Sequence, residues 1–403
     1  MKRLLFVLIA TLLVIAGCSS NNDDGSVEIE ILMFEGGFGS EWVKESAELY
    51  MEMNEDVTIT VTSSPDIHQQ LQTRFLSDEV PDLINPGPNF DIQGVINEGM
   101  IAGLDDYLAE KAYDSDVSWL DTFEQGQFNL KKDDVTYGIP TIFSPGYVWW
   151  YDQKMFDDYG WDLPQTQEDL YELKDLAQEE GKAVIAIPGV HPEYYLYGIY
   201  FPLVERFGGE QALLDAFNLV EGAWTSDAFV KAAEEAQRMV EEGLFLEGTF
   251  GLNHTESQTL FFEREALFVM AGSWLEGEMA DVIPEDFELR ALNQPHVEGG
   301  LGKQLAPIST GWGGAWYVPE NGEYKDEAVE FLKFLSSEEE VEKMVSSKGL
   351  ASVVKNTEDA IESDALASAL AVLQNAEGSY APTAINDAYP ELAGNVVNLF
   401  QSL

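Results

Sequence analysis

The chain has 403 residues, a length that predicts two domains of ordinary size. It contains 21 Lys and Arg against 73 Asp and Glu, a formal net charge of -52 that is spread along the whole sequence. Such a surface excludes nucleic acid as a partner, because binding it depends on neutralising phosphates with cations. We interpret the acidic residues as a solvated coat, typical of a halophilic protein or one exposed to alkaline conditions, while a cationic ligand stays open as their second meaning.

The amino-terminal segment predicts a secretory signal. Two basic residues precede the apolar run Leu4–Ala16, which is too short for a normal membrane-spanning helix, and Cys18 follows after a glycine. This end is similar to a bacterial lipobox, in which the cysteine is lipidated, so we expect an extracytoplasmic protein anchored to the cell membrane. Because Cys18 is the only cysteine, disulfides and cysteine-rich zinc sites are excluded in the mature chain. We assign residues 1–18 to the signal and lipobox, and residues 19–26 to a flexible tether.

The next part of the chain predicts a parallel βαβαβ unit. Strands predicted at Val27–Phe34 and Asp56–Val61 alternate apolar with polar residues, and a third is predicted at Pro81–Asn85. Apolar residues at helical spacing predict a helix after each of the first two strands. The fold class is therefore α/β. The glycine turn after the first strand has Trp42 where a dinucleotide fingerprint needs its third glycine, so we expect no nucleotide cofactor.

The segment Tyr137–Tyr151 is extended, contains two prolines and is rich in aromatic residues. We interpret it as a connection between two lobes, after which the second half repeats the geometry of the first. The later helices are predicted at Gln167–Glu180, Asp227–Glu242, Thr255–Glu263, Asp326–Leu335, Ala360–Leu373 and Pro390–Leu403. The later strands are predicted at Ala183–Pro188, Ala266–Ala271, Glu288–Leu292 and Gly311–Val318.

The tryptophan after the strand Ala266–Ala271 is the first candidate for ligand contact. The apolar run is short and bounded by glycine, which predicts a core strand. Trp274 follows at the position where an open α/β sheet places its ligand crevice, beyond the carboxyl end of a strand. We therefore expect its indole to face a ligand. On these residues alone, the alternative that Trp274 caps the core stays open, because aromatic side chains bury large apolar areas.

A series of short motifs follows along nearly the whole mature chain. They are the lipobox, Phe34–Gly39, Pro81–Ile84, Tyr137–Pro140, Trp150–Phe156 with Pro164–Thr166, Ala266–Trp274, and Ala328–Leu335 with Gly349–Ser352. Together they resemble the family 1 extracellular solute-binding proteins, the sugar-binding lipoproteins of ABC importers. The resemblance implies a two-lobed, periplasmic-binding-protein-like (type II) fold whose hinged lobes close on a carbohydrate. We assign residues 27–142 and 290–335 to the N-lobe, and residues 143–289 and 336–403 to the C-lobe.

The resemblance also implies that Trp274, Asn85 and its neighbours, Tyr194 and Tyr195 line the cleft. A pyranose has an apolar C–H face and a rim of hydroxyls, so its site needs flat rings and polar partners. The ring candidates are Trp274, Tyr194, Tyr195, Trp312 and Phe38, and the polar candidates are Glu35, Asp82, Asn85 and Glu193. Three alternatives stay open: Asp82 capping a βα turn, Trp312 packing under the hinge, and Glu193 serving as a surface acid.

The resemblance implies a carbohydrate ligand and an ABC permease as partners, contact with the membrane through the anchor, and a monomer. The opening Glu35–Gly39 is similar to the branch that imports N-acetylglucosamine and chito-oligosaccharides. A polyamine receptor of the same fold and a secreted glycoside hydrolase stay open as alternatives. The four histidines lack metal-ligand spacing and no Gly-x-Ser-x-Gly elbow occurs, so we expect no catalytic residues, metal or cofactor.

Overall fold

The structure is a computed structural model that describes residues 26–113, 115–124, 130–309, 314–348, 350–382, 392, 395 and 396. The strands are β1 (Val27–Phe34), β2 (Val57–Ser64), β3 (Leu83–Asn85), β4 (Lys131–Lys132), β5 (Val135–Thr136), β6 (Ile139–Pro140), β7 (Ile142–Pro145), β8 (Val148–Asp152), β9 (Ala183–Ala186), β10 (Ala266–Ala271), β11 (Leu289–Leu292), β12 (Ala306–Ser309), β13 (Ala315–Trp316), β14 (Ala351–Ser352) and β15 (Ser379–Tyr380).

The helices alternate with these strands along much of the chain. They are α1 (Glu41–Met53), α2 (Ile67–Ser77), α3 (Ile92–Asn97), α4 (Asp105–Ala109), α5 (Gln153–Tyr159), α6 (Gln167–Glu179), α7 (Glu193–Tyr195), α8 (Phe201–Gly208), α9 (Glu210–Phe217), α10 (Asp227–Glu241), α11 (His254–Phe262), α12 (Trp274–Glu278), α13 (Lys325–Leu335), α14 (Glu338–Lys348) and α15 (Asp364–Asn375). Between α7 and α8 the chain forms a π-helical turn, Leu196–Tyr200.

The first lobe is built on the parallel sheet β2-β1-β3, which confirms the predicted βαβαβ unit. An antiparallel bridge between Ile84 and Tyr317 joins this sheet to the pair β13-β6. Helix α1 packs its apolar stripe, including Trp42 and Tyr50, into the first-lobe core. Burying a side chain of this size stabilises the fold by about 1.5–3 kcal/mol. The carboxyl ends of β1, β2 and β3 share one edge, where Phe34, Ser64 and Asn85 lie.

The second lobe is built on the mixed sheet β11-β8-β10-β9. Strands β10 and β9 are parallel, whereas β8 runs antiparallel to both β10 and β11. The strand predicted at Ala266–Ala271 is confirmed with the same bounds, and all six of its residues are buried. Helices α6 and α11 begin with reciprocal capping boxes, Thr166 with Asp169 and Asn253 with Glu256, which fix where these helices start.

The two lobes are joined at a small sheet of order β14-β7-β12-β15, which we call the hinge sheet. Strand β7 leads from the first lobe into β8 of the second, and β12 leads from the second lobe back to β13. After β14 the chain enters the second lobe again at α15, which packs against β11. The segment Tyr137–Tyr151 thus follows the path from one lobe to the other that its composition led us to expect.

Two lobe boundaries differ from the expected ones. We assigned residues from 290 onward to the N-lobe, but β11 pairs with β8 and Leu305 is buried in the second-lobe core, so this crossing occurs at β12. We assigned residues from 336 onward to the C-lobe, but α14 buries Val341 in the first-lobe core. The physical cause is the same in both places. The apolar residues of β11 and α14 still pack in the lobe that the chain is leaving, and the chain crosses only at the hinge sheet.

Candidate functional site

The site begins at the carboxyl end of β1, where the chain turns through Glu35 and two glycines. The Glu35 amide donates to the carbonyl of Ser64 at 3.1 Å, which holds the turn against β2. The Ser40 hydroxyl donates to the Glu35 carboxylate instead of capping α1. This hydroxyl is fully buried and also lies 3.0 Å from the hydroxyl of Ser63. The carboxylate of Glu35 is therefore fixed at the edge of the first-lobe sheet, half-buried, with acceptor capacity to spare.

Trp274 meets the first lobe directly. Its ring lies 5.7 Å from the ring of Phe38 in an edge-to-face arrangement. A Cβ added to Gly37 would stand 2.8 Å from the Trp274 Cβ, so only glycine lets the first-lobe turn approach this closely. Gly272 makes the same allowance on the second-lobe side, where an added Cβ would collide with the indole ring. The indole of Trp274 is half-buried between two glycines, one from each lobe.

Tyr147 extends the ring surface along the second lobe. Its ring lies 6.2 Å from Trp274, 5.4 Å from Tyr194 and 5.3 Å from Tyr197. The residue has φ 57°, a left-handed conformation that is uncommon outside glycine. Burial raises the pKa of the Tyr147 phenol, so the hydroxyl stays neutral. Sequence reasoning missed this residue, although its position after Pro145 and Gly146 in the interlobe connection was a usable signal.

Tyr194 is held in place by a chain of hydrogen bonds behind its ring. The His254 Nε2 lies 2.6 Å from a Glu278 carboxylate oxygen, and the Tyr194 hydroxyl lies 2.7 Å from His254 Nδ1. In the tautomer whose Nε2–H donates to Glu278, Nδ1 accepts from the Tyr194 hydroxyl. Burial raises the pKa of Tyr194, and the charges of Glu278 and Glu193 raise it further. We call the four rings Phe38, Trp274, Tyr147 and Tyr194 the aromatic wall.

Two sequence candidates have other roles in the structure. The Tyr195 ring turns away from Tyr194 and packs against Phe245, and its hydroxyl donates to the carbonyl of Ala236 at 3.0 Å. Asp82 is buried at the amino end of β3, the end opposite the aromatic wall. Its carboxylate accepts one bond from the amide of Glu30 and one from that of Tyr324, both at 2.8 Å. Tyr195 therefore packs inside the second lobe, and Asp82 holds backbone amides in the first. The role of Asp82 is similar to the alternative in which it caps a βα turn.

The remaining candidates divide three ways. Asn85 is half-buried at the carboxyl end of β3, beside Met33 in register, on the edge that Glu35 occupies. Glu193 lies one residue before Tyr194, with its carboxylate 3.4 Å from the His191 Nδ1. Trp312 and the lipobox cysteine Cys18 lie outside the described residues. The structure therefore brings Phe38 and Trp274 into direct contact, with Glu35 in the same first-lobe turn as Phe38. Asn85 lies at the same end of the first-lobe sheet, and Tyr194 is linked to Trp274 through Tyr147.

A surface pocket of about 570 Å³ lies on the second lobe next to the aromatic wall. Its lining includes His191, Asn253, His254, Thr255, Glu256 and Thr259. His254 links the pocket to the aromatic wall, because it lines the pocket and its ring nitrogens contact Tyr194 and Glu278. The volume lies within the range of roughly 300–1,000 Å³ that small-molecule sites occupy.

Two further properties bear on the chemistry of the site. Among the described residues, no group of three or more His, Cys, Asp or Glu side chains is arranged to hold a metal ion. In the same ranges, every helix falls short of the length and apolar character that a membrane span requires. The arrangement offers flat rings and hydrogen-bonding groups, which suit the binding of a small polar molecule with an apolar face.

Comparison with known proteins decides the family. Residues 37–342 match the family described as bacterial extracellular solute-binding protein, more than half of the chain. The chain belongs to that family. The resemblance noted from its motifs is thereby confirmed at the level of the family. This solute-binding protein is 24% identical over 370 residues to the diacetylchitobiose binding protein NgcE of Streptomyces coelicolor, covering 89% of this chain and 77% of that protein.

Solved structures agree on the fold of this solute-binding protein. A structure from work on xylan utilisation by the thermophilic bacterium Caldanaerobius polysaccharolyticus is 22% identical, with a TM-score of 0.79, covering 93% of this chain and 96% of the other. A chitin oligosaccharide binding protein is 18% identical, with a TM-score of 0.74, covering 94% of this chain and 98% of the other. The predicted two-lobed α/β architecture is confirmed by these similarities.

Proposed function

We propose that this solute-binding protein captures a carbohydrate between its lobes and delivers it to the permease of an ABC importer. The observation that supports this most strongly is the aromatic wall, in which Trp274 of the second lobe meets Gly37 and Phe38 of the first. A ligand shifts the balance between open and closed lobes only if it contacts them differently in the two states. Rings contributed by both lobes supply such contacts.

The polar groups around the wall suit the hydroxyl rim of a sugar. Glu35 offers carboxylate oxygens at the first-lobe edge, and Asn85 offers an amide with both donors and acceptors. On the second lobe, Tyr194 is oriented by His254, so its hydroxyl has a defined direction. Groups held by packing and by further hydrogen bonds lose little freedom on binding, which favours affinity.

We further propose that the ligand is a short oligosaccharide containing N-acetylglucosamine. The relatives named for diacetylchitobiose and for chitin oligosaccharide support this choice, as does the opening Glu35–Gly39. The pocket lined by His254, which bonds the Tyr194 hydroxyl, offers further space near the aromatic wall and supports a ligand longer than one sugar unit. An acetamido methyl group adds apolar area for the aromatic wall to bury.

The proposal is tested by isothermal titration of the purified chain with diacetylchitobiose, N-acetylglucosamine, maltotriose and putrescine. We expect diacetylchitobiose to bind with a dissociation constant at least about tenfold below that of N-acetylglucosamine. Tight binding of putrescine alone would favour the polyamine receptor. Sustained release of N-acetylglucosamine from a chito-oligosaccharide would favour a hydrolase, which needs two carboxylates across the scissile bond.

We also propose that Cys18 anchors the protein to the outer face of the cell membrane. Its position after a short apolar run supports lipidation. Expression in a bacterial host with labelled palmitate should label the full-length chain but not the variant Cys18→Ser. Equal labelling of both chains would contradict the anchor and would leave the sugar proposal untouched.

A further inference from the structure

Buried polar groups without partners are concentrated beneath the hinge strands β12 and β15. The side chains of Arg206, Gln294 and Tyr380 are 0%, 3% and 8% exposed. Within the described chain, four of their polar atoms make no hydrogen bond to protein: Arg206 Nε, both polar atoms of the Gln294 amide, and the Tyr380 hydroxyl oxygen. Two more such atoms, Gln167 Oε1 and His296 Nδ1, belong to neighbouring segments.

These three residues meet at one location, where the Arg206 guanidinium contacts the backbone of Gln294 and lies near Tyr380. Arg206 Nη2 donates to the carbonyl of Gln294 at 3.2 Å, and Nη1 donates at 3.3 Å to Leu305, the residue before β12. Tyr380 pairs in parallel register with Pro307 of β12. Burial raises the pKa of Tyr380, and the charge of Arg206 is close enough to oppose that rise. The unpaired atoms therefore lie where the second lobe meets the hinge sheet.

The location is closed by backbone. An added Cβ at Gly300 would collide with the carbonyl of Arg206, and one at Gly302 would collide with that of Glu205. The loop that holds these glycines thus lies directly on the last turn of α8, and the Lys303 amide donates to a Glu205 carboxylate oxygen at 2.8 Å. Bulk solvent is kept away from Arg206 and Glu205, which are both fully buried.

The free-energy cost of unpaired buried polar groups favours a hydrogen-bonding partner at this location. Each buried polar group left unsatisfied carries a desolvation penalty, and several in one place would together rival the whole free energy of unfolding of a domain. The charge of Arg206 is already matched by Glu205, at 2.6 Å. The unpaired atoms include donors, Arg206 Nε–H and the Gln294 amide N–H, as well as an acceptor, the Gln294 carbonyl oxygen. A neutral species that both donates and accepts fits this set, and an anion does not.

We infer that ordered water binds between Arg206, Gln294 and Tyr380 and links the hinge strands β12 and β15 to the second lobe. The water completes the hydrogen bonds of the three side chains and holds the hinge sheet on its support. The proposal concerns a place away from the aromatic wall and does not depend on which ligand the protein binds.

The sign of a stability change tests the inference. If water binds the hydroxyl, Tyr380→Phe leaves that water short of a partner, and the Tm should fall by about 1–3 °C. If the hydroxyl is buried dry, its removal relieves a penalty and the Tm should rise, which would overturn the proposal. The matched control is Tyr195→Phe, which removes a hydroxyl that donates to the carbonyl of Ala236 and should lower the Tm. Differential scanning calorimetry of the full mature chain gives both values.

A second variant and a direct observation complete the test. Gln294→Met removes both unpaired amide atoms at similar volume, and its loss should be less than additive with Tyr380→Phe because both contact the same water. Strictly additive rises in Tm would contradict the water. A crystal structure should show density within about 2.6–3.2 Å of at least two of the three side chains, and its absence would overturn the inference. A chloride-specific rise in Tm at equal ionic strength that Tyr380→Phe abolishes would assign the place to an anion instead.

Discussion

The two lobes contribute to the aromatic wall in different ways. The first lobe supplies mainly backbone: a turn of glycines, one ring at Phe38 and the fixed carboxylate of Glu35. The second lobe supplies Trp274, Tyr147 and Tyr194, and the ring of Tyr147 makes edge contact with each of the other two. The difference indicates that the second lobe holds a preformed surface for the ligand, whereas the first lobe closes over it with little side-chain bulk. Ligand affinity should therefore depend most on the rings of the second lobe. Closure of the lobes should depend on the absence of a side chain at Gly37 in the first lobe.

The largest effect should come from removing the central ring of the second lobe. Trp274→Ala should weaken sugar binding by about 30-fold or more, since large buried rings dominate binding energies. The Tm of the ligand-free chain should change little, because the indole is half-buried and part of its contact is with the other lobe. Titration calorimetry and thermal unfolding measure the two effects separately.

The control for this prediction is Trp161→Ala. Trp161 packs on Tyr159 and Phe156 at the second-lobe periphery, so its loss should lower the Tm with affinity retained. If Trp274→Ala instead shows a large fall in Tm with binding intact, Trp274 is a core residue. The second lobe would then not supply the main ligand surface.

A first-lobe residue away from the wall should affect stability alone. Asp82→Ala should lower the free energy of unfolding by about 2–4 kcal/mol, because it leaves two partly buried backbone amides without their charged acceptor. Folded protein should bind sugar as the parent does. Urea unfolding compares it with Asp66→Ala, at an exposed residue whose side chain makes no helix-capping bond. A loss of affinity without a loss of stability would make Asp82 a ligand residue after all.

A side chain added at Gly37 in the first lobe should hinder closure of the lobes. Gly37→Val places its Cβ 2.8 Å from the Trp274 Cβ in the arrangement of the lobes described above, whereas the exposed turn should tolerate the side chain once the lobes part. Sugar affinity should fall about tenfold, equivalent to about 1.4 kcal/mol, with an unchanged Tm. Gly251→Val, where an added Cβ meets open space, should bind normally. Normal binding by Gly37→Val would mean that the two lobes do not approach at this glycine in the liganded state.

Alkaline pH should weaken both lobes through their buried tyrosines. Burial raises the pKa of Tyr50 in the first lobe and of Tyr200 in the second to about 12. A raised native pKa means that the unfolded chain releases these protons first, so stability is complete below about pH 10 and declines as pH rises toward about 12. Thermal unfolding across this range should show the decline. A flat profile would show that these phenols do not titrate differently on folding.

Salt should produce the smallest effect, and it should act on the two lobes alike. A net charge of -52 makes the folded chain repel itself, and added salt screens that repulsion. We expect sodium chloride to raise the Tm by about 1–5 °C, with the same gain in Trp274→Ala. A Tm that stays constant or falls would contradict a surface adapted to salt.

The sequence predicted the sheets better than the hinge. Strands such as Val27–Phe34 and Ala266–Ala271 have a local signal, either alternation or an apolar run bounded by glycine, and both were located to the residue. The hinge strands β12, β14 and β15 have two to four residues each and owe their existence to pairing with distant segments. Their short sequences contain no periodicity, which also explains why two lobe boundaries were set too early.

Position at the end of a strand explains why some of the predicted site residues lie near one another. Glu35 and Phe38 follow the carboxyl end of β1 in the first lobe, and Trp274 follows the carboxyl end of β10 in the second, the end at which open α/β sheets place their ligand crevice. Tyr194 and Tyr195 are adjacent in a helix, so their rings point in different directions. Tyr194 contacts His254, and Tyr195 packs against Phe245. Tyr147 owes its place to a left-handed backbone angle at a lobe crossing. Residue type alone predicts neither the different directions of the Tyr194 and Tyr195 rings nor the position of Tyr147.

The contact between Trp274 and Gly37 gives the protein an optical signal of its own. Most of the other described tryptophans are shielded from water inside the lobes; the most buried are Trp42, Trp119, Trp149, Trp150 and Trp316. Their emission is a steady background, whereas separation of the lobes exposes the Trp274 indole on the side that Gly37 covers. The unlabelled chain can thus report its own opening and closing in a stopped-flow fluorimeter, with Trp274→Phe as the silent reference.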